Sequence, residues 1–110
     1  MYKANKQDSS LFNTPYMLLS PCVDVFRAAD LQPMEEPWTC AVITAAAPDL
    51  KDPKALLVTP EQLEEAMLQK IRNLLSCAAA FNYKYITLGA WGCGAFGHDA
   101  AKVSEWFRQV

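Results

Sequence analysis

Glycine is scarce in this chain: the 110 residues hold four, at 89, 92, 94 and 97, so the backbone freedom that only glycine offers is gathered in one short stretch. Histidine occurs once, at His98, and Cys22, Cys40, Cys77 and Cys93 form no C-x-x-C pair. Those spacings exclude the common zinc and redox-loop patterns and favour reduced thiols; no metal and no cofactor is expected. Neither sign of charge dominates, with 10 Lys and Arg against 12 Asp and Glu and a net charge of -2. An electrostatically held nucleic acid is therefore not expected, whereas one phosphorylated ligand gripped by backbone amides needs no basic surface. No apolar run approaches a membrane span, and Met1 to Lys6 leads into polar residues rather than a signal-peptide core, which points to a cytoplasmic protein. Repeats and low-complexity segments are lacking, and the length suits one small domain.

What is present is a strongly apolar chain, 52% hydrophobic and 20% charged, as folded domains are. Residues 1–15 lack either hydrophobic period and read as an irregular arm, with a domain over 16–110. Tyr16 to Ser20 and Val23 to Arg27 read as two short strands, or one broken at Pro21. Ala28 to Pro37 reads as turn and loop, and Trp38 to Ala47 as a strand covered on both faces. Asp49 to Val58 is a loop with room for a helical turn. Thr59-Pro60-Glu61-Gln62 is a capping box with proline at the first helical position, and Leu63, Ala66, Met67, Ile71, Leu74, Leu75 and Ala78 follow at helical spacing. That helix is expected to reach about Phe81. Tyr83 to Leu88 reads as a strand, and a second helix runs from Asp99 to Val110.

Between these last two lies Gly89-Ala90-Trp91-Gly92-Cys93-Gly94-Ala95-Phe96-Gly97-His98-Asp99. A strand, a glycine loop and a helix start in this order can turn successive amides toward an anion, beyond the carboxyl end of a strand where ligands of α/β sheets bind. Cys93 and His98 are close enough in sequence for a nucleophile pair to be considered, although a buried or incidental cysteine is the better reading and His98, next to the helix cap, is expected at the surface. Phe96 reads equally as core or as ligand contact. Trp38 and Trp91 suit sheet-edge or adenine packing, and Trp106 an interface, with core packing the default.

Leu88 to Gly97, with Ser20 to Arg27 and Ala47-Pro48-Asp49, resembles the microbial-type poly(ADP-ribose) glycohydrolases, a branch of the macrodomain fold, from about Tyr16 to Val110. The resemblance implies an α/β fold: a truncated macrodomain-like three-layer sandwich with a partial mixed sheet, completed or rearranged by oligomerisation. It further implies that Gly92, Cys93, Gly94, Ala95 and Gly97 form a loop around the diphosphate of ADP-ribose, that Phe96 shapes the ribose pocket, and that Pro48 closes the end of a neighbouring strand near the ligand. His98 and Asp49 stand where the family pattern leads one to expect asparagines. The family's catalytic loop, consecutive glycines followed by a glutamine and two glutamates, does not occur in these residues, and Glu35-Glu36 lies in a proline-bounded turn. No catalytic residue is therefore assigned, because nothing evident can protonate a leaving oxygen or activate water. ADP-ribose binding without turnover is the leading expectation. Alternatives are a self-associating interaction protein with a vacant loop, and a hydrolase completed by a second polypeptide. In macrodomain order, the sheet edges beside Tyr85 to Leu88 would lie unpaired in a lone chain, so a homo-oligomer is expected.

Overall fold

A computed structural model describes Lys3 and residues 12–110; the expected arm over 1–15 lies largely outside the described residues. Two strands come first, β1 (Met17–Arg27) and β2 (Pro33–Ala45), paired antiparallel. The pairing steps from Ser20↔Val42 to Val23↔Cys40, three residues on β1 against two on β2. Pro21 sits in that bulge, where a missing amide proton costs the ladder nothing, so of the two readings, two short strands or one broken at Pro21, the second is the one found. A tight turn joins the pair: Ala28 N donates to Gln32 O at 3.0 Å, Leu31 N to Ala28 O at 2.9 Å, and Leu31 adopts φ 66°.

Of the turn and loop expected over Ala28 to Pro37, the first half is that turn and the second half, from Pro33, is strand. Pro33 is tolerated as the first residue of β2, and Pro37 falls where the register shifts between Val25 and Arg27. A second correction concerns β2, which is not covered on both faces: much of it is exposed, and Trp38 and Val42 keep 52% and 38% of their surface. The apolar run there reflects surface that β1 alone does not hide.

A short 3-10 turn, Pro53–Leu57, precedes α1 (Pro60–Ala80), and α2 (Ala100–Gln109) ends the fold. The capping box forms as its sequence dictates: Gln62 N donates to Thr59 Oγ1 at 3.3 Å, and Thr59 N to Gln62 Oε1 at 3.0 Å. At the other end Asn82, at φ 59°, lets its own amide and that of Tyr83 return to Ala79 O and Ala78 O. Met67, Ile71, Leu74 and Ala78 lie along one stripe of α1 and are buried. Met67 and Ile71 pack with Val103 and Trp106 of α2, and Leu63, Leu68, Leu75, Trp91, Cys93 and Phe107 surround them. Trp106, considered above for an interface, is a core residue at 7% exposure. Each such side chain removed from water contributes about 1.5–3 kcal/mol.

The largest departure is at 83–90. The strand expected at Tyr83 to Leu88 makes no ladder with any described residue, and the sheet among the described residues is the β1–β2 pair. Tyr85, Ile86 and Leu88 remain 93%, 43% and 44% exposed. The chain here is apolar and suited to a sheet, but pairing needs neighbouring edges that the described residues do not bring to it. The radius of gyration, 15.7 Å, exceeds the roughly 13 Å of a compact domain of this length. Among the described residues no helix is long and apolar enough to cross a membrane.

Candidate phosphate-binding loop

Residues 89–98 fold into a knot of short-range bonds. Trp91 N donates to Gly89 O at 2.8 Å, Cys93 N to Ala90 O at 3.0 Å, Gly97 N to Gly94 O at 3.1 Å, and His98 N to Gly92 O at 3.1 Å. Gly92 and Gly97 take φ of 78° and 75°, which side-chain-bearing residues rarely adopt. Both positions are also tight. A Cβ on Gly92 would lie 2.8 Å from Ala47 Cβ and from His98 Cδ2, and one on Gly97 would lie 2.7 Å from Lys51 Cε. Gly94 has open space around it.

The loop is braced from behind by the segment after β2. Leu50 N donates to Phe96 O at 3.0 Å, and His98 Nε2 lies 2.8 Å from Pro48 O. Because a carbonyl only accepts, His98 must carry its proton on Nε2. Its ring is 5% exposed and meets Trp106 edge-on, with centroids 6.3 Å apart. The surface position expected for His98 is therefore wrong, since the lone histidine is a buried brace. Pro48 is also fully buried, and its carbonyl accepts from His98. Trp91 ties the loop to the end of β2, its Nε1 donating to Ala45 O at 3.0 Å.

With those bonds assigned, the donors that remain can be named. Among the described residues the Gly94, Ala95 and Phe96 amides, three in succession, make no hydrogen bond, nor does the Gly92 amide, and Gly94 and Ala95 are exposed. Cys93, expected to donate to a diphosphate, and Gly97, expected in the binding loop, bond their amides inside the loop in this structure. Gly92 supplies the turn and the carbonyl that His98 caps. The start of α2 is occupied as well: Asp99 accepts from Lys102 N at 2.9 Å, placing a carboxylate at the helix terminus. The anion-binding potential therefore belongs to the loop amides rather than to the helix dipole.

Cys93 and His98 do not form a pair. The Cys93 side chain packs against the core, its Sγ 3.7 Å from Trp91 O, and the protonated nitrogen of His98 is committed to Pro48. Among the described residues no group of three or more His, Cys, Asp or Glu could hold a metal ion. The bracing role of His98 was not legible in the sequence, because its acceptor lies 50 residues away. Asp49 and Asp52 accept from Lys51 N and Lys54 N at 2.9 and 2.8 Å, shaping the turn that carries Lys51 past Gly97.

A two-stranded sheet, two packed helices and a glycine loop ahead of the second helix make up a partial α/β fold. In sequence and fold the chain is like part of the bacterial poly(ADP-ribose) glycohydrolases. It matches the enzyme from Thermomonospora curvata at 31% identity and a TM-score of 0.91, over 96% of this chain and 38% of that one. The same enzyme bound to the inhibitor ADP-HPD matches with equal identity and TM-score, over 40% of that chain. The Deinococcus radiodurans glycohydrolase in complex with ADP-ribose matches at 33% identity and a TM-score of 0.88, over 98% of this chain and 44% of that one. The chain thus spans about two fifths of the length of these relatives. No protein-family model and no curated protein matches it.

Proposed function

We propose that this chain binds the diphosphate of ADP-ribose, in the cytoplasm, through a loop carried by a single domain over residues 16–110. The observation that carries the reading is the run of three amides at Gly94, Ala95 and Phe96 with no partner among the described residues, flanked by the bonds around Gly92, Gly97 and His98. Amides fixed in advance bind an anion without the cost of ordering a flexible side chain. Phe96 is half-buried beside these donors and is anchored through its carbonyl, so its ring is available to shape a ribose pocket. The likeness to glycohydrolases solved with ADP-ribose and with ADP-HPD supports the choice of ligand. Turnover is not assigned to these 110 residues, because no carboxylate lies among the loop residues 89–98.

Calorimetric titration with ADP-ribose tests this. Saturable heat is expected from the wild-type chain, and no heat at millimolar ligand with folded protein overturns the reading. Ala95→Pro deletes one of the three donors. Since a hydrogen bond to a charged group contributes about 1.5–3 kcal/mol, affinity should fall at least tenfold while the helical circular dichroism is retained.

A further inference from the structure

Beside the loop, between β2 and the segment 83–90, runs a groove of about 560 Å³. Leu74 and Ala78 of α1 and Phe107 of α2 line it, with Val42 and Ile43 on one wall and Ile86 and Leu88 on the other. The Trp91 Nε1 to Ala45 O bond joins the segment's loop to the end of β2. Among the described residues β2 pairs with β1 alone, and the amides of 84–88 make no backbone hydrogen bond. A groove lined on two sides by such unpaired backbone, over an apolar floor, suits an extended polypeptide strand with both of its own edges free.

We propose that the strand seated in this groove is segment 83–90 of a second copy of the chain. Insertion between two edges requires a segment that is free on both sides. β1 and β2 fail that requirement because they are paired with each other, whereas 83–90 meets it. The exchange is reciprocal: each segment lies between the other copy's β2 and the other copy's segment. One closed six-stranded order results, β1–β2–segment–segment–β2–β1, with a two-fold axis between the two central segments. Charge agrees with this arrangement. Lys84 is the segment's one charged residue, and in any antiparallel register centred between Tyr85 and Leu88 it faces an uncharged residue rather than its own copy. Burial agrees too, since Tyr85, Ile86 and Leu88, exposed in the single chain, would become the centre of the sheet. The proposal stands whether or not the loop takes a nucleotide.

The test is analytical ultracentrifugation of the 110-residue chain across a concentration series, combined with amide hydrogen exchange. A dimer is expected, with the amides of 84–88 protected at high concentration and exposed on dilution. Ile86→Pro removes a donor from a strand paired on both sides and should leave a monomer. Because that variant could disturb folding, Tyr85→Lys provides a second: its side chain is 93% exposed in the single chain, so the monomer keeps its structure. There, added positive charges near the dyad should raise the dimer dissociation constant at least tenfold. A monomer at all concentrations overturns the proposal, either with 84–88 protected, meaning the groove is filled from within the same chain, or with 84–88 unprotected, meaning it stands empty.

Discussion

Between the helices, Met67 and Ile71 have no exposed surface, whereas on the hairpin Leu18 and Trp38 keep 55% and 52% of theirs. Both regions are rich in apolar residues, so composition does not separate them. The difference lies in how each element meets its hydrogen-bonding and packing needs. An α-helix satisfies its backbone internally and needs only a partner for one stripe, which α1 and α2 supply to each other. A strand must find partners for both edges and cover for at least one face, and β2 and the segment at 83–90 find too few among the described residues. Stability should therefore reside in the helices and the loop they hold, with the sheet half depending on association.

The comparison can be broken by truncating matched side chains in the two regions. Ile71→Ala should cost about 2–5 kcal/mol, because it removes fully buried atoms and leaves a cavity beneath Trp106 and Val103. Leu18→Ala, at a half-exposed strand position, should cost well under half of that in the monomer. Urea denaturation of both variants checks this, and equal losses would place the core elsewhere.

A finer contrast lies inside the loop. Gly92→Ala meets Ala47 and His98 at 2.8 Å with φ at 78° and should destabilise by roughly 2–3 kcal/mol. Gly94→Ala, with open space, should be close to neutral in thermal unfolding. If the two behave alike, the bracing of the loop against the Ala47–Pro48 segment is not what shapes it.

The smallest effect is expected at the end of α2. Arg108 donates to both Glu105 oxygens, at 2.9 and 2.6 Å, and this hydrogen bonding holds the Glu105 carboxyl below its usual value. A carboxyl depressed on folding contributes stability above its unfolded value and loses it as pH falls through the folded one. Both groups are solvent-exposed, so Arg108→Ala should change the midpoint of unfolding only slightly at neutral pH and not at all in strong acid.

Much of the helical half was legible in the residues themselves. Thr59-Pro60-Glu61-Gln62 and Asp99 mark helix starts through contacts within three residues, and the apolar spacing of α1 names its buried face. The free amides were legible only in part. Glycine spacing located the loop, but which amides stay open depends on bonds such as Leu50 to Phe96, whose partners are far apart in sequence. The same distance hid the burial of His98 and Pro48.

At Tyr83 to Leu88 an apolar, β-branched pattern led to the expectation of a strand that does not form among the described residues, because pattern alone could not say whether a neighbour would be there to pair with it. Local chemistry decided where the helices begin and end and where the chain can turn sharply, because those outcomes are settled within one turn of backbone. Which loop donors face outward, which histidine nitrogen holds its proton and which strand edges lie bare were decided only when distant segments met. Those outcomes follow from hydrogen-bond partners, and partners are a property of the fold.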